Sequence, residues 1–433
     1  MTVASVKLWG SNIGAVSWNE DRGYAFFEYE PEFVRSGIQL APLMMPLSRT
    51  IYSFPALSKE TFHGLPGMLA DSLPDKFGNA LINAWLAQQG RPENSMNPVE
   101  KLCYIGDRGM GALEFVPAKG PRAKTSKPIE VDELVELASE ILSEKKKFKI
   151  SLNDKHKSEA LSDILRVGTS AAGARAKAIV AWNPQTNEIR SGQIGVDQGF
   201  TYWLLKFDGV SGNKDKELDD PSGYGLIEYA YYKMALIAGI AMSECHILEE
   251  NGRNHFMAKR FDRKDNGEKI HMQSLCAMAH FDFNQAGACS YEQAIQVMER
   301  LKLPMNSIEE QFRRMVFNIV GRNQDDHTKN IAYLMDKGGK WSLAPAFDMM
   351  YAYNPSGPWT GQHQMSMNGK RDGFVIEDFE AFAKMALMKR GRAKEIVNQV
   401  QTAISQWRNI AKEVGVSAGR IKLISKAHRF FKW

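Results

Sequence analysis

The sequence predicts an α+β fold, β-rich toward its amino end and mainly helical toward its carboxyl end, on three observations. Residues 23–30, Gly-Tyr-Ala-Phe-Phe-Glu-Tyr-Glu, alternate as a half-buried strand does, and breaks follow around Pro42 to Pro55. Ile308, Phe312, Met315, Val316 and Ile319 recur at helical spacing, so a buried helix delivers the chain to Gly321-Arg322-Asn323 and stops there. Ile331–Met335 and Trp341–Leu343 then read as two short strands, joined by the turn-forming run Asp336-Lys337-Gly338-Gly339-Lys340.

The elements follow in chain order. After the β-rich start, a helical stretch opens beyond Asp71-Ser72-Leu73-Pro74-Asp75 and includes Leu81, Trp85 and Leu86; the glycines of Tyr104–Phe115 predict a tight turn into a strand. The polar, proline-broken run 118–129 reads as a linker. An amphipathic helix through Leu134, Leu137, Ala138, Ile141 and Leu142 comes next, and then Glu144-Lys-Lys-Lys-Phe-Lys149, which is either a solvated face or a nucleic-acid contact. Gly168 and Gly173 have P-loop spacing, but Ala174-Arg175 replaces the Lys-Ser/Thr pair, and the segment leads into a strand, Ala178–Trp182. It is therefore an ordinary turn or a Gly-rich lid over a nucleotide. Lys206 ends the apolar run Tyr202–Leu205, either reaching nucleotide phosphates or snorkelling to water from an edge strand. Glu228 opens the helix through Tyr229 and Ile237, as an ion-pair partner of Lys206 or as an exposed first-turn glutamate. Phe256–Arg263 is a strand followed by a charged turn, where a crossover between two lobes fits. Past the loop Tyr353–Pro358 the chain is mainly helical, with a basic group at Lys384, Lys389, Arg390, Arg392 and Lys394.

The sharpest chemical signal is Asn323-Gln-Asp-Asp-His-Thr-Lys-Asn330. Asp325 and Asn330 stand in the relation D-x-x-x-x-N, and Asp348 follows the hairpin. Phosphoryl transfer depends on positioning and charge neutralisation, so it needs a carboxylate near the attacking hydroxyl and hard oxygen ligands for magnesium. Asp325 fits the first role, and Asn330 and Asp348 fit the second. A single Asp or Asn after a helix is more often a cap or a turn; it is the combination that points to function.

Composition narrows the class. With 433 residues and 44% hydrophobic content, the chain is globular and large enough for two or three packed domains. No stretch reaches the apolar length of a membrane span, and the start lacks a signal-peptide pattern, so a cytoplasmic protein without a membrane partner is expected. Cys103, Cys245, Cys276 and Cys289 show no C-x-x-C spacing and read as core thiols; His255, His271 and His280 show no ligand spacing either. A net charge of +5 is mild.

With Gly168–Lys177, Lys206, Lys259–Arg263, Asn323–Asn330 and Ala344–Asp348 in order, and with Leu73-Pro74-Asp75 and Gly111-Ala112-Leu113 before them, the chain resembles the HipA family of serine/threonine kinase toxins. The resemblance implies a two-lobed protein-kinase-like fold with an additional β-rich amino-terminal module: residues 1–120 the module, 121–258 the upper lobe with the Gly-rich loop, 259–433 the mainly helical lobe with the catalytic loop. It implies ATP and Mg2+ as cofactors, Asp325 as catalytic base, and Asn330 and Asp348 as metal ligands. Lys206, Phe261, Gln273, His327 and the loop residues Ser170, Ala171 and Ala172 would lie in the nucleotide site. Ser170 matches the serine that the family autophosphorylates; a phosphate of roughly −2 charge there would repel bound ATP and silence the enzyme. The implied partners are a HipB-type helix-turn-helix antitoxin, operator DNA reached through the toxin-antitoxin complex, and a protein substrate such as a translation factor. No His-Arg precedes Asp325, and no Ala-Pro-Glu segment follows Asp348. The competing readings are a small-molecule kinase and an inert DNA-associated co-repressor.

Overall fold

In the computed structural model of the chain, residues 1–121, 127–142, 163–165, 167–168, 175–193, 198–210, 214–215, 218–219 and 222–432 are described. The amino-terminal region is built on an antiparallel sheet in the order β3-β2-β1-β4, formed by β1 (Thr2–Leu8), β2 (Ser11–Asn19), β3 (Tyr24–Tyr29) and β4 (Leu113–Val116). Alternation decides its faces: Ala4, Val6 and Leu8 are buried while Val3 is exposed. Between β3 and β4 run five helices, α1 (Pro31–Ser36), α2 (Lys59–Phe62), α3 (Gly67–Ala70), α4 (Lys76–Gln88) and α5 (Pro98–Ile105). Asn97 and Glu100 close a capping box at the start of α5. Gly106 and Gly111, both at positive φ, turn the chain back into β4.

The central sheet runs β10-β11-β7-β5-β6, with β5 (Lys177–Asn183), β6 (Glu188–Ser191), β7 (Thr201–Lys206), β10 (Cys245–Glu250) and β11 (Arg253–Lys259); a small ladder of β8 (Lys214–Asp215) and β9 (Leu218–Asp219) stands apart. Every residue of β5 is buried, so its apolar run lacks alternation. Helix α6 (Val131–Leu142) packs Leu134, Val135 and Ala138 into the same core as Ala178, Val180, Leu205 and Met257, and Phe77 and Leu81 of α4 join them. Helix α7 (Tyr224–Ile237) presses onto β11 at Gly225, where a Cβ would lie 2.5 Å from the Asn254 carbonyl oxygen. Only glycine fits there.

Beyond β11 the chain is mainly helical: α8 (Leu275–Ala279), α9 (Tyr291–Arg300), α10 (Met305–Gly321), α11 (Ile376–Met385), α12 (Arg392–Ser405), α13 (Trp407–Glu413) and α14 (Ala418–Ala427). A small sheet, β12 (His271–Ser274), β13 (Ala332–Met335) and β14 (Trp341–Leu343), supplies the expected hairpin and a third strand. The hydrophobic core of this lobe is continuous with that of the amino-terminal sheet, joining Phe312, Tyr333 and Trp341 to Leu40 and Met45. All four cysteines are buried free thiols. Among the described residues no helix is long and apolar enough to cross a membrane.

Candidate active site

The buried helix α10 does stop where its periodicity ends. Arg322 takes the left-handed conformation at φ 59°, and its side chain is tied down by a hydrogen bond to the Ala427 carbonyl and by stacking over Tyr353. Asn323 then donates through Nδ2 to Asn318 Oδ1 at 3.0 Å and to the Asp348 carbonyl at 3.0 Å. The Gln324 amide donates to the Ala352 carbonyl. These contacts bind the loop that carries Asp325 to the loop that carries Asp348. Within the first loop, Asn330 Nδ2 donates to the Asp325 carbonyl at 2.9 Å, so the five-residue spacing is one closed turn ending in a 3-10 segment, Thr328–Asn330.

Two adjacent aspartates divide the work. Asp326 points inward: it accepts from Tyr291 Oη at 2.6 Å and from the Gln364 amide at 2.8 Å, and His363 Nδ1 lies 2.8 Å away. Its side chain is 1% exposed, against 20% for Asp325, so Asp326 is the anchor and Asp325 is the more accessible of the two. Sequence reasoning missed Asp326, because neighbouring identical residues carry no signal for which one turns inward. His327 sits beside Asp325, Nε2 to Oδ2 at 4.0 Å, with its ring 5.3 Å from Phe283.

Lys206 belongs to β7, which is flanked by β11 and β5, so it is not an edge-strand lysine. Its Nζ donates to Glu228 Oε1 at 2.6 Å and to Asp348 Oδ1 at 2.5 Å. Glu228 is not the exposed first-turn residue that one reading of the sequence allowed. It lies a turn inside α7 and is 3% exposed, brought to Lys206 by the close approach at Gly225. Burial alone would raise the Asp348 carboxyl, but the Lys206 ammonium outweighs it and holds the group at about 2. Burial would lower Lys206, yet the two carboxylates raise it above its usual value. Asp348 itself sits at φ 52°, a left-handed position that Asp tolerates better than most residues and that Asn323 helps to hold.

The remaining expected residues divide. Phe261 falls in the turn after β11, its ring 5.6 Å from Phe347. Gln273 does not join the cleft, and its expected place in a nucleotide site is corrected. Fully buried on β12, it donates to the Leu40 carbonyl at 2.6 Å and contacts His271, because its face of the strand is covered by the amino-terminal region. Ser170, Ala171 and Ala172 lie outside the described residues, as does the basic run 144–149. Downstream of them, Arg175 lies over the Tyr224 ring at 4.2 Å and lines a recess with Lys206 and Glu228.

Asn330 and Asp348 line one cleft with Asn323 and His327. Among the described residues no group of three His, Cys, Asp or Glu side chains could hold a metal by itself. One carboxylate kept ionised and one amide are hard oxygen donors, and magnesium commonly takes one or two such ligands, completing its shell with water and phosphate oxygens. The residues present fit that ion.

Residues 169–407 match the family model of the HipA-like C-terminal domain, and residues 4–116 match that of the HipA N-terminal domain. A curated relative, the candidate kinase Y4mE of Sinorhizobium fredii, is 23% identical over 219 residues, 46% of this chain and 50% of its own length. The chain thus spans about half of that relative. Among solved structures, the Shewanella oneidensis MR-1 HipA, HipB and operator DNA complex contains a chain that superposes with a TM-score of 0.67 at 17% identity, over 98% of this chain and 94% of that one. At that identity the likeness is one of fold, and it extends over both lobes and the amino-terminal region.

Proposed function

This chain belongs to the HipA family, and from that premise we propose that it is an ATP- and magnesium-dependent serine/threonine protein kinase, the toxin of a toxin-antitoxin pair. The observation that carries the reading is the convergence of Lys206, Glu228 and Asp348 in one ion cluster, with the Asp325–Asn330 turn tied to the Asp348 loop through Asn323. In this reading Lys206, oriented by Glu228, holds nucleotide phosphates, and Phe261 and His327 border the nucleotide. Asp325 accepts the proton of the substrate hydroxyl as its oxygen bonds to the γ-phosphorus and the bond to the departing ADP oxygen breaks. Magnesium, held by Asn330 and Asp348, would neutralise phosphate charge when bound.

Ser170 is proposed as the self-phosphorylated residue. The antitoxin and operator partners are carried from the Shewanella oneidensis complex, whose chain is seen with HipB and operator DNA. The test is intact-mass spectrometry of dephosphorylated protein after incubation with ATP and magnesium. Wild type is expected to gain a phosphate that maps to Ser170; Ser170→Ala should gain none there, and Asp325→Asn should react at least about 100-fold more slowly, the range for loss of a general base. Absence of both ATP binding and phosphate transfer in wild type would sink the kinase reading and leave a DNA-associated co-repressor.

A further inference from the structure

The loop after Asp348 places a residue on the catalytic carboxylate that no spacing in the sequence singled out. Trp359 Nε1 donates to Asp325 Oδ1 at 2.5 Å, across 34 residues of chain. The loop holding the indole is fastened at several points. Gln364, 3% exposed, donates through Nε2 to the Trp359 carbonyl at 2.5 Å and to the Gln324 carbonyl at 3.1 Å, while its amide donates to Asp326 Oδ1. On the far side the loop folds back so tightly that a Cβ on Gly361 would stand 2.5 Å from the Gly357 carbonyl oxygen. Trp359 is thus held by the same inward aspartate that anchors the catalytic loop.

We propose that Trp359 is a positioning residue for phosphotransfer: its indole N–H fixes the Asp325 carboxylate in the orientation that receives the substrate hydroxyl proton. This rests on the kinase reading above. The chemistry suits the task. An indole N–H is a donor only, so it cannot itself take the hydroxyl proton and compete with the base. A donor on one carboxylate oxygen fixes the rotation of the group, and so the direction the carboxylate presents to the hydroxyl. The indole is also a rigid ring on a short stem, and unlike a lysine or arginine donor it brings no charge to the cleft.

The experiment has two arms on the full chain. In the first, phosphate transfer by wild type and Trp359→Phe is measured over a range of ATP concentrations. The phenylalanine keeps the ring and loses the N–H. A roughly 10- to 100-fold lower kcat per folded molecule is expected, with KM for ATP within about twofold. Gln364→Ala, which unfastens the loop but keeps the indole, should lower kcat by less. A loss of folded protein is read separately, from the thermal midpoint of each variant. An unchanged kcat would overturn the proposal, and so would a faster variant, which would mark Trp359 as a blocking residue. In the second arm, the nine indole N–H signals of tryptophan-labelled protein are compared by NMR between wild type, Trp359→Phe and Asp325→Asn. The signal that Trp359→Phe removes should lie downfield in wild type and move upfield in Asp325→Asn, while that of Trp18, which donates to Glu20, stays in place. A Trp359 signal unmoved by Asp325→Asn would show that the contact is not made, whatever the activity. Wild type that transfers no phosphate removes the kinase reading, and the positioning role with it, even where the signal moves.

Discussion

Two ion clusters, one at the seam with the amino-terminal region and one in the cleft, are built to opposite rules. At the seam with the amino-terminal region, Arg260, Asp262 and Arg263 form a sealed triad. Asp262 Oδ1 accepts from Arg260, and Oδ2 accepts from Arg260, Arg263 and the Gly111 amide. The guanidinium of Arg263 also donates to the Gly109 and Gly111 carbonyls. Arg260 and Asp262 side chains are 1% and 0% exposed. In the cleft, Lys206 and Asp348 side chains are 12% and 33% exposed, and the second oxygen of the buried Glu228 has no hydrogen-bond partner among the described residues. Both clusters hold an aspartate at about 2 against its own burial. The difference lies in completeness: the first saturates its acceptors and joins two parts of the fold, while the second leaves a carboxylate within reach of the cleft. A depressed carboxyl alone therefore does not mark a site; an accessible, unsaturated one does.

That contrast can be broken at either end. Asp262→Ala should cost about 3–5 kcal/mol of stability, because two buried guanidinium groups lose their partner; denaturant titration measures it, and a loss under about 1 kcal/mol would show that the seam is not held by charge. Lys206→Met should act the other way round. Phosphate transfer is expected to fall by about 100- to 1,000-fold, the range for removing one stabilising donor, and the thermal midpoint by less than in Asp262→Ala, since Asp348 can hydrate and the buried Glu228 can protonate. A midpoint falling as far as that of Asp262→Ala would erase the distinction.

The most gradual effect separates both clusters from acid sensitivity. A depressed aspartate contributes stability that is present above its unfolded value of 3.8 and is lost as pH falls toward 2, so neither cluster weakens at pH 5. Buried histidines behave differently. His271 is pushed down to about 3 and His255 to about 4 by burial, so below 6.5 the unfolded chain takes protons that the folded chain refuses. Stability should fall between pH 6.5 and 4 by up to about 1.4 kcal/mol per pH unit for each histidine. His271→Gln should flatten the slope of thermal midpoint against pH over that window; an unchanged slope would assign the acid loss elsewhere.

Local pattern made much of the molecule legible. The α10 helix and its stop, the closed turn from Asp325 to Asn330, the hairpin of β13 and β14, and α6 all follow from spacing within a few residues, where helix period, strand alternation and turn chemistry act directly. The identity of Lys206 and Asp348 was legible too, because each sits at the end of a recognisable apolar run. The pairing of Lys206 with Glu228 was one of two readings that the sequence left open. It depends on Gly225 letting α7 approach β11, a contact between elements rather than within one.

The sequence by itself determined which segments are helix, strand and turn, and which chemical groups a phosphotransfer site could draw on, because those are set by neighbours along the chain. Tertiary packing alone decided how they are used. It turned Asp326 inward against Tyr291 and left Asp325 the more accessible, and it covered the His271–Gln273 face of β12 with the amino-terminal region. It also laid Trp359 on a carboxylate 34 residues away. Which face of an element is covered depends on surfaces that meet only when distant parts of the chain fold together, and no local period records them.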